Sequence, residues 1–191
     1  DWSWSRGLGD VYKRQVNNLA NNGVYVLMDE ITMQSCADCL KWIMNQNLAE
    51  TRLPQLTIII NSPGGDVHAA FALIDTMKAS TIPIKTVGLG LIASCGFLIF
   101  IAGKKGSRIL TPNTSILSHQ YSWGSAGKEH ELYARVKEFE LSTQRMIEHY
   151  KKCIGMSEKQ IREILLPPQD VWLSAKEARK LKICDKIEEL Y

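Results

Sequence analysis

The chain has 191 residues, which is ample for one domain and marginal for two. Its composition, 45% hydrophobic and 23% charged, is typical of a soluble globular protein. Its net charge is only +3, and the lysines and arginines are spread along the chain, so we expect no nucleic-acid-binding surface.

Five cysteines occur without a repeated spacing, which argues against a secreted disulfide framework and favours a reducing, cytoplasmic location. Cys36 and Cys39 form a C-x-x-C pair, but a zinc ribbon needs a second pair of ligands, and none follows. The same spacing fits one face of a helix, so we favour a structural role over a redox role and expect no metal ion.

The first fifteen residues differ from the rest of the chain. They contain no apolar h-region, so they do not read as a signal peptide. We expect residues 1–15 to be a non-native or disordered leader and the native sequence to begin near Val16.

Strand-like and helix-like patterns alternate through the next part of the chain. Leu56–Ile60 is continuous and β-branched, which is typical of a buried parallel strand. The other predicted elements here are a strand at Gly23–Met28, a helix at 33–47, a turn at Asn61–Gly65 (NSPGG) and a helix at Val67–Lys78.

The segment Thr86–Gly103 carries no formal charge and is almost long enough to cross a bilayer. Four glycines interrupt it, however, and its front continues a predicted strand at Ile84–Gly88. We therefore predict a strand, a turn made by the glycines, and a buried helix from about Ser94 to Ala102. No membrane span is expected.

The second half of the chain contains one long charged segment without glycine or proline, at Lys128–Lys152. A helix of this length extends about 37 Å, so it should project from the core, and its apolar stripe should meet another subunit. Shorter elements are predicted around it: strands at Arg108–Leu110 and Ser115–Ser118, and helices at Ser157–Leu165 and Ser174–Leu181. The alternation predicts an α/β fold with a mostly parallel sheet.

Ser94 is the most suggestive candidate for chemistry. It would begin a buried helix, where unpaired N–H groups suit an oxyanion, and small neighbours leave room for a substrate. Composition alone, however, favours an ordinary N-cap as the role of this serine. The segment also departs from the G-x-S-x-G elbow, because Ile92 occupies the first glycine position.

A serine nucleophile needs a base and a group that orients the base. His119 follows an apolar strand and is the best candidate for the base; of the other histidines, His130 and His149 are expected to be solvated. Asp170 precedes VWLSA, in a loop near a core-bound Trp172, and is the candidate orienting group. Composition alone leaves Asp66 and Asp75 as rivals.

Together these segments resemble the Clp protease proteolytic subunit (ClpP) family, serine peptidases within the ClpP/crotonase superfamily. The resemblance covers about Val24 to Ile187 and rests on several short segments in the family's order. They are INSPGG at 60–65, acid-Thr-Met at 75–77, G-x-x-A-S at 90–94, TPN at 111–113, HQ at 119–120 and D-x-x-L-S-A at 170–175.

The fold that the resemblance implies is a ClpP/crotonase-like spiral of ββα units with a mostly parallel sheet. A handle helix at about 128–152 would protrude from it. Residues 16–191 would form a single domain, with a head at about 16–118 and 154–191 and a handle at about 119–153.

The family's catalytic groups carry over onto residues of this chain. Ser94 would be the nucleophile, His119 the general base and Asp170 the group that orients it. The backbone N–H groups of Gly65 and Cys95 would form the oxyanion hole.

The resemblance also implies an assembly. Family members form heptameric rings that stack as a tetradecamer around a closed chamber, where unfolded proteins and peptides are hydrolysed. A separate Clp-type AAA+ ATPase feeds the chamber and uses the ATP, so this chain needs no cofactor. We expect no partnership with nucleic acid or membrane.

This chain departs from the family pattern at several places. Tyr121 replaces the proline of the usual HQP, and Gln169 replaces an arginine that pairs between rings. The aromatic positions of the ATPase-docking patch correspond to Thr57, Ile59 and Ala79.

Three alternatives belong to other functional classes. A crotonase-fold acyl-CoA enzyme would share the fold without needing the triad, and a catalytically inactive ClpP-like scaffold subunit would have lost it. A Ser–Lys dyad would use Lys85 or Lys104, which flank the Ser94 segment.

Overall fold

Seven strands form one sheet in the computed structural model, which describes residues 18–190. The strands are β1 (Val24–Leu27), β2 (Leu56–Ser62), β3 (Ile84–Ala93), β4 (Arg108–Leu110), β5 (Ser115–Ser118), β6 (Val171–Ser174) and β7 (Lys186–Ile187). Their order is β1-β2-β3-β4-β7, and β5 also pairs with β3. All these pairings are parallel; β6, which pairs with β5, is antiparallel to it. The predicted α/β class with a mostly parallel sheet is confirmed.

The helices connect the strands and cover the sheet. They are α1 (Met33–Leu48), α2 (Val67–Ala79), α3 (Cys95–Ile101), α4 (Glu129–Ile154), α5 (Glu158–Gln160, continued by a π-helical turn, Ile161–Leu165) and α6 (Ala175–Lys180). Side chains of Thr32, Asp66, Ser157 and Ser174 cap four of them. Cys36 and Cys39 are free thiols buried on one face of α1, so they are part of the core.

The predicted turn at Gly88 and Gly90 is wrong, because β3 continues through both glycines to Ala93. Gly88 allows close packing: a Cβ there would lie 2.7 Å from Leu110 Cδ2. Gly90 has a φ of +57°, at an irregularity where the register between β2 and β3 shifts. The glycines bend the strand without ending it, so β3 carries the chain directly to Ser94.

Two further expectations need correction. Asn61 and Ser62 still belong to β2, so the NSPGG turn is reduced to residues 63–65. Residues 171–174, where no strand was predicted, form β6. The expectation that Trp172 is bound to the core is wrong: it is 59% exposed, because alternate residues of that strand face opposite sides.

The long helix is present as α4, Glu129–Ile154, and ends at Gly155 in a left-handed conformation. Its residues 129–137 are all exposed, whereas its buried residues begin at Ser142. The expectation that His149 is solvated is wrong: it is only 2% exposed and its Nε2 lies 2.9 Å from the carbonyl oxygen of Leu98. The spiral, and the division into head and handle, stay predictions.

None of the helices within residues 18–190 has the length and apolar character needed to cross a membrane. The predicted leader at 1–15 lies outside the described residues.

A buried ion pair connects the first residue of β4, Arg108, to Asp185, which directly precedes β7. The same arginine also contacts the end of α4. The Arg108 guanidinium is 2% exposed and donates to both carboxylate oxygens of Asp185, at 2.9 and 2.8 Å, and to the carbonyl oxygen of Cys153 at 3.0 Å. Burial by itself would raise the pKa of Asp185, but the bonds from Arg108 outweigh it and lower the pKa below its usual 3.8.

Replacing Asp185→Ala should lower the free energy of unfolding by roughly 3–5 kcal/mol, because it leaves a buried guanidinium without its counter-charge. Urea denaturation followed by circular dichroism measures the change. The matched control is Glu188→Ala, which removes the exposed pair with Lys186 (3.2 Å) and should cost at most about 1 kcal/mol. Equal effects of the two substitutions would contradict the prediction.

Candidate active site

Three strand ends bring the predicted site residues to one edge of the sheet. Ser94 follows β3 and His119 follows β5; these strands are parallel neighbours, with Ala93 beside Leu117. Asp170 directly precedes β6, which runs antiparallel to β5 with Val171 beside Ser118. Extending each register by one residue sets Ser94 beside Ser118 and His119 beside Asp170. Sequence alone could not provide this juxtaposition, because β6 was not predicted.

The backbone at Ser94 is strained. Its φ of 51° and ψ of −119° make it one of two non-glycine residues with positive φ in the described part of the chain, the other being Lys182. Its amide donates to the carbonyl oxygen of Leu117 at 2.9 Å, which fixes the turn to β5. Its hydroxyl makes no capping bond to α3. The ordinary N-cap role weighed from the sequence is therefore not the one that this side chain performs.

The loop 63–65 lies against Ser94. A Cβ on Gly64 would come within 2.6 Å of Ser94 Cβ and 3.2 Å of the Cys95 nitrogen, so only glycine allows this approach. The Ile31 amide donates to the Gly64 carbonyl oxygen at 2.8 Å, and the Asp66 amide donates to the Ile31 carbonyl oxygen at 2.7 Å. These bonds orient the Gly64–Gly65 peptide plane, so the Gly65 N–H points away from Ile31.

Two backbone donors remain unpaired beside the serine. Within residues 18–190, neither the Gly65 N–H nor the Cys95 N–H donates a hydrogen bond. Unpaired amides that flank a partly exposed hydroxyl can stabilise an oxygen that develops negative charge. These are the two amides that the resemblance assigns to an oxyanion hole, and that assignment stays a prediction.

The side chains of the three predicted catalytic residues are not joined by hydrogen bonds in the described chain. His119 Nδ1 lies 2.6 Å from the carbonyl oxygen of Gln120; because a carbonyl can only accept, Nδ1 is the protonated nitrogen. The Asp170 side chain is exposed. The fold aligns the segments that carry these residues, while the imidazole is turned towards Gln120 and not towards Asp170.

The thiol of Cys95 forms a hydrogen bond within the same site. Burial raises the pKa of Cys95 to about 11, so the group stays a neutral thiol near pH 7. Its Sγ donates to the Gly65 carbonyl oxygen at 3.2 Å. The thiol therefore links the two residues whose amides face the serine and is not itself a nucleophile near neutral pH.

Residues that sequence reasoning missed hold the end of β5 to the segment before Asp170. The Ser118 hydroxyl donates to the Leu165 carbonyl oxygen at 2.7 Å, and the Gln120 side-chain Nε2 donates to the Leu166 carbonyl oxygen at 3.0 Å. The available signal was Ser118 at the end of the strand SILS, directly before His119, because a buried hydroxyl needs a partner.

The lysines considered for a Ser–Lys dyad lie at the other end of β3. Lys85 precedes Ser94 by nine residues, which is about 30 Å along an extended strand. The Lys104 amide donates to the carbonyl oxygen of Ile84 at 2.7 Å, so Lys104 lies at the beginning of β3 as well. The structure therefore does not support a dyad with either lysine.

Comparison with known proteins relates the chain to a family of proteases. Residues 8–190 match the family model described as Clp protease. The chain is 32% identical over 161 residues to ATP-dependent Clp protease proteolytic subunit 1 of Chlamydia abortus, covering 83% of this chain and 82% of the relative. It is 34% identical over 161 residues to proteolytic subunit 2 of Corynebacterium diphtheriae, covering 84% and 77%.

The chain belongs to the Clp protease family. The match confirms the resemblance found in the sequence, and the moderate identity indicates a divergent member.

Proposed function

We propose that this protein is a serine-type endopeptidase that hydrolyses peptide bonds of unfolded proteins and peptides with the triad Ser94, His119 and Asp170. One observation supports it above the others: the hydrogen-bonded register of β3, β5 and β6, which aligns the three residues at one edge. The strained Ser94 and the two unpaired amides beside it support the same role.

The proposed reaction begins when Ser94 Oγ attacks the peptide carbonyl carbon while His119 Nε2 takes the hydroxyl proton. The negative charge on the carbonyl oxygen is stabilised by the amides of Gly65 and Cys95. His119 then gives the proton to the leaving amine, and the C–N bond breaks. Water, deprotonated by the same imidazole, hydrolyses the acyl-enzyme and releases the second product.

Asp170 would orient the imidazole during these steps. The proton on Nδ1 already leaves Nε2 available as the base, which is the tautomer that the reaction needs. To act, the ring must turn from the Gln120 carbonyl to the Asp170 carboxylate. This rotation is a step of the proposal and requires no change in the strand register.

The alternatives receive less support. The relatives are named proteolytic subunits, which does not favour a crotonase-fold acyl-CoA enzyme. An inactive scaffold subunit would share the family and the fold, but it would be expected to have lost residues of the triad, and this chain retains all three. The reactivity of Ser94 tests the difference directly.

We further propose that the chain assembles into heptameric rings stacked as a tetradecamer, with the site inside a cytoplasmic chamber. Its partner would be a Clp-type AAA+ ATPase, which would use the ATP; we assign this chain no cofactor or metal. The exposed apolar side chains on the first half of α4 support contact with another subunit. They are Leu132, Tyr133, Val136 and Leu141.

Reaction with a fluorophosphonate probe tests the nucleophile. The wild-type protein should be labelled at Ser94 and should hydrolyse a fluorogenic peptide, whereas Ser94→Ala should do neither, because the attacking oxygen is lost. Mass spectrometry locates the label. Folded, assembled wild-type protein that is neither labelled nor active would point to the inactive scaffold or the acyl-CoA enzyme.

The substitution Gly65→Ala tests the oxyanion hole. An added Cβ would collide with the Ile31 carbonyl oxygen, and the φ of +145° suits only glycine, so the amide must move. We expect kcat to fall about 100-fold or more. The control Gly155→Ala also has positive φ (+84°) but free space around it, and should keep its kcat. Full activity of Gly65→Ala would refute the assignment of this amide.

The substitution Val136→Lys tests the assembly. A charge in the apolar stripe should separate stacked rings, because a buried unpaired lysine is costly, and light scattering should report a smaller particle. Lys137→Ala, on the neighbouring exposed position, serves as the control. If Val136→Lys leaves the particle size unchanged, this stripe is not the contact between rings.

A further inference from the structure

About two turns of α4 carry a small polar network that reaches α2. His68 Nε2 lies 3.2 Å from Glu138 Oε1, and Arg145 Nη2 lies 3.5 Å from His68 Nδ1. The Ser142 hydroxyl donates to the same Glu138 oxygen, and Arg145 Nη2 donates to Ser142 Oγ at 2.9 Å. We call His68, Glu138, Ser142 and Arg145 the Glu138 cluster. Glu138 is the acceptor at its centre.

On one side, the cluster holds the segment that carries Gly65. His68 belongs to the first turn of α2, three residues beyond Gly65. Phe71, one turn further along α2, lies with its ring 5.4 Å from the Arg145 guanidinium carbon, a cation–π contact. The start of α2 is therefore fixed to the middle of α4.

On the other side, the same part of α4 holds the segment that carries His119. Tyr121, two residues beyond His119, stacks on Phe139 with ring centroids 5.7 Å apart, and Trp123 lies 5.6 Å from the same ring. Burial raises the pKa of Tyr121, and the charge of the Glu138 carboxylate raises it further.

The network is poorly suited to a purely stabilising role. The side chains of His68 and Glu138 are 52% and 32% exposed, and ion pairs this exposed contribute little to stability. Their position has a clearer consequence. The His68–Glu138 contact connects α4 to the segment on one side of Ser94, and the neighbouring Phe139 connects it to the segment on the other side. Small displacements of such segments are costly for catalysis: a shift of about 1 Å can reduce a rate about 100-fold.

We propose that Glu138 is a positioning residue for the catalytic centre: through its contact with His68, and through its place beside Phe139 on α4, it keeps the Gly65 segment and the His119 segment aligned on the two sides of Ser94. The inference rests on the proposed peptidase function. It adds a residue of α4 to the parts of the chain that the reaction depends on.

The test compares Glu138→Ala, Glu138→Gln and His68→Ala in the assembled full chain. Hydrolysis of a fluorogenic peptide gives kcat and KM, and thermal unfolding reports stability. We expect Glu138→Ala to lower kcat about tenfold, with KM within about twofold of wild type and little change in melting temperature. Glu138→Gln should recover much of kcat, because its amide oxygen still accepts from His68 and Ser142.

Two further comparisons sharpen the test. The kcat of the double variant His68→Ala/Glu138→Ala should be no lower than that of Glu138→Ala alone, because both substitutions remove the same His68–Glu138 contact. Glu140→Ala is the matched control: it lies two residues away on α4 and loses only an exposed pair with Lys137 (3.4 Å), so its kcat should be unchanged.

The outcomes separate the two proposals. Suppose that the wild type is active and labelled at Ser94. If Glu138→Ala then has the same kcat as the wild type, or if the losses in kcat of the two single variants add in the double variant, the positioning role is wrong and the peptidase proposal stands. If the glutamine variant is no better than the alanine variant, or if lost activity follows lost stability, the positioning role is also wrong. An inactive, unlabelled wild type overturns both.

Discussion

The register between β3, β5 and β6 is the constraint on which the rest of this site depends. Parallel pairing of Ala93 with Leu117 and antiparallel pairing of Val171 with Ser118 bring three chain segments to one edge of the sheet. His119 lies 25 residues after Ser94, and Asp170 lies 51 residues after His119, so no local interaction could bring these segments together. Hydrogen bonds from Ser94, Ser118 and Gln120 then hold the strand ends to the neighbouring backbone.

Close contacts between backbone segments further fix the same edge of the sheet. Gly64 touches Ser94, and the bridge between Ile31 and the loop after β2 orients the adjoining amide. The Cys95 thiol then links its own residue to Gly65. The geometry around the proposed oxyanion hole is thus set mostly by main-chain bonds. Such bonds tolerate a change of side chain at position 95 better than a change of backbone at position 65.

Much of the fold could be predicted from the sequence because its signals are local. Apolar periodicity and caps located α1, α2 and α6, and the absence of glycine and proline located α4. The failures also have physical reasons. Gly88 and Gly90 were interpreted as a turn because a single sequence does not distinguish a glycine needed for close packing from one that ends a strand. His149 was expected in solvent because the helix around it is charged, yet the Leu98 carbonyl offers it a buried partner.

The sequence by itself determined the family, the fold class and the identity of the candidate catalytic residues, because short motifs in a fixed order suffice for those. Only the tertiary structure decided how these residues are arranged. It turns the His119 ring towards Gln120, leaves Asp170 exposed and strains Ser94. It also brings His68 and Tyr121 to the same stretch of α4. These arrangements depend on pairings between distant segments, and a one-dimensional pattern carries no information about which distant segments meet.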